Sequence, residues 1–349
     1  MSSDSAAQSE TLMLREARSA PAVAGRLIAE NGPLCRELGA RLRAAPPPFV
    51  VTCARGSSDN AATYAKYLIE TRLGLVAASV GPSISSVYAG RLKVRDALFL
   101  AVSQSGRSPD LLHLAEAAVR EGAKTVALVN DEASPLAGIC ETTLPLRAGA
   151  ERSVAATKSF IAALVAELQL CAHWMNDDAL LRAVENLPDA LERATQADWS
   201  AAMPLLASAT NLYVVGRGLG YAAAQEMALK FKETCGLHAE ALSAAEFMHG
   251  PMTLAGRDFP VFVLSQDDAS LAGVNDVVDQ LADRGVPMIV AGPARAKGAI
   301  ALAHVEGVGP VAAPIALIQS AYSLIEGVAR ARGRNPDNPP HLRKVTETV

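Results

Sequence analysis

The chain has 349 residues, 50% of them hydrophobic and only 4% aromatic, and a formal charge of −4. That length accommodates about two domains with sizeable cores, and the acidic balance excludes a nucleic-acid or anionic-membrane surface as the main partner. Five scattered cysteines (Cys35, Cys53, Cys140, Cys171 and Cys235) have neither metal nor redox spacing, so free thiols in a reducing cytoplasm are expected.

Met1 to Ser9 is polar, lacks the apolar centre of a signal peptide and is expected to be disordered. Leu12 to Leu42 reads as short helices broken at Pro21 and at Gly32-Pro33, and the prolines of Ala44 to Pro48 mark a linker. Residues 1–45 thus form an N-terminal helical segment. A strand follows at Phe49 to Ala54, then a Gly-Ser turn, a helix over Asn60 to Glu70, and a short strand at Val76 to Ala78. The next elements are a strand at Ala97 to Val102, a helix from Pro109 to Glu121 and a strand at Thr125 to Val129. Ser159 to Met175 is the longest apolar stretch; it carries Glu167 and is too short to span a bilayer, so a buried helix is expected. The second half follows the same plan: strand Leu212 to Val215, helix Tyr221 to Lys232, strand Pro260 to Leu264, a helix ending near Asp283, strand Pro287 to Ala291 and a closing helix over Ala313 to Ala331. Asn335 to Val349 is a polar, proline-bearing tail.

Short apolar runs alternating with helical segments imply parallel strands covered on both faces. The expected fold is α/β: two tandem flavodoxin-like doubly wound parallel-sheet domains, residues 46–190 and 200–334, with short N-terminal helices and a C-terminal tail, 335–349.

The two halves also repeat in sequence. Arg55-Gly56 and Ala61-Ala62 recur 162 positions later as Arg217-Gly218 and Ala223-Ala224, and Ser103-Gln104 recurs at the same offset as Ser265-Gln266. One offset shared by two separate matches points to duplicated domains. The copies then diverge: Ser105-Gly106-Arg107-Ser108 faces Asp267-Asp268-Ala269-Ser270 in the alignment. The first loop suits an anion and the second repels one.

Ser57-Ser58 and Ser103, Gln104, Ser105 and Ser108 follow strands that end at one edge of an open parallel sheet, where ligands bind. Hydroxyls donate to phosphate oxygens, Gly106 permits close backbone approach, and Pro109 suits the first turn of a helix whose N-terminus attracts negative charge. Gly216-Arg217-Gly218-Leu219-Gly220-Tyr221 lacks the third glycine of a dinucleotide fingerprint and reads as a plain strand-to-helix turn. In the second half, Lys230 and Glu233 share a helix face at i, i+3, which by itself signifies only an ion pair. His249 precedes Gly250-Pro251 at a segment end, as a loop-presented functional group or as a helix cap. No His or Cys set has metal spacing, and no cofactor is implied.

At these residues the sequence resembles the SIS (sugar isomerase) domain family, and within it the isomerase half of glucosamine-6-phosphate synthase, also called glutamine–fructose-6-phosphate aminotransferase. Met13-x-x-Glu16…Pro21, Ser103-Gln104-Ser105-Gly106, Ala155-Ala156-Thr157-Lys158, Ala228-Leu229-Lys230-Phe231-Lys232-Glu233, His238-Ala239-Glu240, His249-Gly250-Pro251 and the tail Pro339…Leu342-Arg343-Lys344-Val345-Thr346 carry the resemblance in order. It implies that Ser58, Ser103, Gln104, Ser105 and Ser108 hold a sugar phosphate, with Gly56, Ser57, Val154 and Arg343 completing the binding set. It further implies Glu233 as the C1–C2 proton carrier, Lys230 as its support, Lys344 as a Schiff-base lysine, and His249 as the ring-opening residue supplied by the neighbouring subunit of a homodimer. The synthase's glutaminase half has no counterpart in this sequence, and Arg107 replaces its acidic loop residue. The implied reaction is therefore the deamination of glucosamine 6-phosphate to fructose 6-phosphate and ammonia. Deamination or deglycation of another amino-sugar phosphate and an ammonia-dependent synthase remain open, with a non-catalytic sugar-phosphate sensor more remote.

Overall fold

In the computed structural model, which describes residues 10–344, two helices precede the first sheet: α1 (Leu12–Arg18) and α2 (Ala20–Ala44). The expected break at Gly32-Pro33 does not occur, because α2 runs unbroken through Pro33. The break falls at Ser19, and Pro21 sits in the first turn of α2, where a missing N–H costs nothing. Packing outweighs the local cost of Pro33: α2 lies so close to the helix at 158–175 that a Cβ on Gly39 would approach the His173 backbone to 2.7 Å. The segment Met1 to Ser9 and the tail residues Val345 and Thr346 lie outside the described residues.

The first sheet comes from β1 (Val50–Cys53), α3 (Ser57–Leu73), β2 (Ala77–Ser79), α4 (Ser83–Ser86), β3 (Leu98–Ser103), α5 (Pro109–Arg120), β4 (Lys124–Val129), α6 (Pro135–Ile139) and β5 (Thr142–Pro145). Four helices lead to the second: α7 (Lys158–Met175), α8 (Asp178–Glu185), α9 (Leu187–Thr195) and α10 (Met203–Ser208). The second sheet comes from β6 (Asn211–Gly216), α11 (Leu219–Cys235), β7 (His238–Ser243), α12 (Ala244–Met248), β8 (Val261–Leu264), α13 (Leu271–Asp283), β9 (Met288–Ala291) and β10 (Ile300–Leu302), closed by α14 (Gly309–Ala331).

Strand orders are β2-β1-β3-β4-β5 and β10-β9-β8-β6-β7, parallel at every pairing. Read from its other edge, the second order is the first. Each sheet is therefore the same doubly wound unit, with its switch point between its first and third strands.

Every residue of β1, β3, β8 and β9 is buried, as strands covered on both faces require. One continuous apolar core joins the two sheets through α3, α7, α11 and α14, and smaller clusters fill the outer face of each sheet. α14 is long and apolar enough to cross a membrane, but its most apolar window is 83% buried within the fold. All five cysteines are free and buried. Burial pushes the Cys53 thiol up to about 12 and those of Cys140 and Cys235 to about 11, which removes them as nucleophiles.

Candidate active site

Two turns build the floor of the site. After β1 the chain reverses through Gly56, at φ 56° and ψ −131°, a conformation that needs glycine. Its counterpart Gly218 after β6 has φ 58° and ψ −130°, so the duplication extends to single dihedral angles. After β3, Gly106 has φ 62°, and a Cβ there would lie 2.3 Å from Ser134 Oγ. Ser103 Oγ accepts the Gly106 N–H at 3.0 Å and fixes this turn. Gly56, Ser57, Ser58, Ser103, Gln104, Ser105 and Ser108 consequently border one cavity of about 350 Å³, at the switch point of the first sheet, where α3 and α5 begin.

The opposite walls come from distant parts of the chain. α11 contributes Lys230 and Glu233, the loop before α7 contributes Val154 and Ala156, and the tail contributes Leu342, Arg343 and Lys344. Every site residue expected from sequence lies on this cavity except His249. That residue is exposed at the C-terminus of α12, where its N–H bonds the Glu246 carbonyl at 3.1 Å. His238 and Glu240 lie on edge strand β7, which sequence reading had not recognised as a strand. With Asp59, Asn60 and Lys232 they line a neighbouring cleft of about 510 Å³ that meets the first at Gly56. Arg107, which replaces the acidic loop residue of the synthase and so would bring positive charge toward a phosphate, is instead exposed and paired with Asp131 at 2.8 Å.

Lys230 is 1% exposed and is no surface partner of Glu233. Its Nζ bonds Glu233 Oε2 and lies 3.5 Å from Glu226 Oε1, a second carboxylate one turn earlier and fully buried. Burial by itself depresses an ammonium's pKa, yet Glu226 and Glu233 outweigh it and hold Lys230 above the ordinary lysine range. Burial raises Glu226, against the pull of Lys230, and Asn60 Nδ2 donates to its Oε2 at 2.9 Å. Lys344 is anchored in the same way. Its Nζ donates at 2.8 Å to both Glu151 Oε2 and the Ser153 carbonyl. Burial raises the Glu151 pKa, but Lys344, the Ser159 hydroxyl and the Thr157 N–H prevail and hold the carboxyl below its usual range. Glu16 on α1 in turn accepts the N–H groups of Arg152 and Ser153, which fixes the loop that receives the lysine.

In the second copy the matching loop is filled by its own side chains. Gln266 Nε2 donates to the Arg217 carbonyl at 2.8 Å, to Asp268 Oδ2 at 3.1 Å and to Ser270 Oγ at 3.1 Å. Gly220 leaves room for it, since a Cβ there would displace Gln266 Oε1, 2.4 Å away. The serine-rich loop is open to ligand and its acidic twin is closed.

This duplicated arrangement matches the SIS domain family over residues 49–172 and again over 205–291. The chain belongs to the SIS domain family. Among curated SIS relatives, glutamine–fructose-6-phosphate aminotransferase [isomerizing] of Halobacterium salinarum is 34% identical over 313 residues, covering 84% of this chain and 51% of that protein. The chain spans about half the length of the curated relatives it matches. Among solved structures, a candidate phosphosugar isomerase from Silicibacter pomeroyi DSS-3 is 44% identical with a TM-score of 0.89, covering 94% of this chain and all (100%) of that one. The C-terminal domain of glucosamine-fructose-6-phosphate aminotransferase from Francisella tularensis shares the fold at 23% identity and a TM-score of 0.83, covering 96% and 100%.

Sequence reading missed Glu226, Glu151 and Asp110, all buried charged groups at or behind the cavity. A signal existed for Glu226, which stands four residues before Lys230 on the same helix face. None existed for Glu151, in an irregular loop 193 positions from the lysine it holds.

Proposed function

We propose that this SIS protein converts an amino-sugar phosphate, glucosamine 6-phosphate in the first instance, to fructose 6-phosphate and ammonia. The observation that carries this reading is the meeting in one cavity of a hydroxyl-rich loop at two helix starts, a carboxylate backed by a buried lysine, and a tail amine. The loop suits the phosphoryl group. Glu233 is the base: in the ring-opened sugar it removes the C2 proton and returns a proton at C1, which turns the 2-amino aldehyde into a 2-imino alcohol. Water then adds at C2 and the nitrogen leaves as ammonia. Lys230 holds the Glu233 carboxylate in place, and Lys344, once released from Glu151 and deprotonated, engages the carbonyl of an open-chain ketose. Ring opening falls to His249 of a neighbouring copy in a homodimer. Its exposure outside the cavity of its own chain agrees with this arrangement. The relatives' names, which pair fructose 6-phosphate with amino transfer, favour the same substrate class.

Ammonia release from glucosamine 6-phosphate by the purified protein tests the reading. Turnover is expected, with loss of about 10²- to 10⁴-fold in Glu233→Gln. Interconversion of aldose and ketose phosphates without any ammonia from amino sugars would replace deamination with plain isomerisation.

A further inference from the structure

Arg55 borders the cavity at the end of β1 with its side chain 50% exposed, whereas its partner Asp110 is 1% exposed. Nε and Nη2 of the guanidinium donate to Asp110 Oδ2 at 3.1 and 2.7 Å, and Asp110 Oδ1 accepts the Leu111 N–H at 2.8 Å. Asp110 stands in the first turn of α5, directly after the serine loop. A buried carboxylate there opposes any anion in a site otherwise shaped for one. The second copy shows the contrast: Ala272 stands at the position equivalent to Asp110, and there the loop is closed by Gln266. The buried acid therefore accompanies the open loop alone. Of the cavity's other cations, Lys230 is committed to Glu226 and Glu233 and Lys344 to Glu151, while Arg343 belongs to the tail and not to the strand end that carries the serines.

We infer that Arg55 is the charged contact for the ligand's phosphoryl group and that Asp110 positions it, holding one edge of the planar guanidinium so that the remainder faces the cavity. This inference rests on the phosphosugar reading above. A fork held on one side by a buried carboxylate presents its other donors in a fixed direction, a geometry a flexible lysine does not reproduce.

The experiment is a calorimetric titration of wild type, Arg55→Gln, Arg55→Lys, Asp110→Asn and the double variant Arg55→Gln/Asp110→Asn with inorganic phosphate at low ionic strength. KM and kcat for glucosamine 6-phosphate are measured in parallel. Arg55→Gln is expected to weaken phosphate by about 10- to 100-fold, the loss of one charge-assisted contact. Arg55→Lys should fall between it and wild type, and the double variant should be as weak as Arg55→Gln. In turnover, KM should rise by more than kcat falls. Wild-type affinity in Arg55→Gln overturns the proposal. So does wild-type affinity in the double variant, which would reduce Arg55 to a neutraliser of Asp110. If Asp110→Asn does not fold, the Arg55→Gln and Arg55→Lys pair decides. Phosphate that binds wild type and depends on Arg55, together with no turnover of amino-sugar phosphates, upholds Arg55 and sinks the deaminase reading instead.

Discussion

Lys230 shows how much one buried charge can carry. It balances two carboxylates, Glu226 and Glu233, of which the first is wholly enclosed. Lys230→Met removes the balance while keeping the volume, and should cost roughly 3–5 kcal/mol of stability as well as activity; chemical denaturation measures it. Glu167 is the opposite case. Both its oxygens are buried on α7 with no hydrogen-bond partner among the described residues, and burial drives its carboxyl well above the usual range. Its folded value exceeds the unfolded one near 4.5, so the native state keeps a proton that the unfolded chain releases as pH rises. Stability is therefore lost above that point, and nothing is lost below it. Glu167→Met should stabilise the protein at pH 7 by about 1–3 kcal/mol, with the gain shrinking toward pH 4.5; melting curves at several pH values would expose a pH-independent gain and refute this. At this scale the sequence revealed polar groups at strand ends and in the tail and hid the enclosed acids. Ser58, Ser105 and Lys344 stand out because polar residues at strand ends and tails call for a reason. Glu151 and Asp110 are acids in ordinary surroundings until the fold encloses them.

At the scale of elements, the short helix α1 fastens the tail to the loop between β5 and α7. Asp337 accepts the N–H groups of Leu12 and Met13 at 2.8 and 2.7 Å, and Glu16 at the other end holds the loop that receives Lys344. Asp337→Ala should remove about 1 kcal/mol of capping and speed cleavage of the tail by a protease, read by mass spectrometry. Equal cleavage rates would show that the tail is held by Lys344 alone. Strands and helices with strong periodicity were legible in outline, including β1, β3, β4, β6, β8, β9 and most of α14. The edge strands β5 and β7 were not, because a strand covered on fewer sides keeps polar residues such as Thr142, His238 and Glu240 and so loses its apolar signature, and β10, though apolar, is only 3 residues long, too short to show a period. Pro33 reads as a helix end for a related reason: α2 is packed against α7 and β5, which lie far along the chain.

Across the whole molecule, two copies of one topology share a single apolar core, and α3 of one lies against α11 of the other. The protein should therefore melt in one cooperative transition, with calorimetric and van't Hoff enthalpies in a ratio near ~1; two separable peaks would mean that each copy holds itself together. Doubling was visible from the 162-residue offset, and the specialisation of the copies from Ser105-Gly106 against Asp267-Asp268. What stayed hidden was how the empty loop is stoppered, since Gln266 occurs in the sequence as an exact echo of Gln104. The contact between Leu12 and Asp337 has a further implication. These residues are 325 positions apart in the chain yet in hydrogen-bonding touch, so the described fold, residues 10–344, is topologically almost a ring. A gene recut between Gln196 and Ser200, with the old ends spliced, would encode the acid–base half before the anion-gripping half around an unchanged cavity, and order of synthesis would become a free choice for whoever builds it.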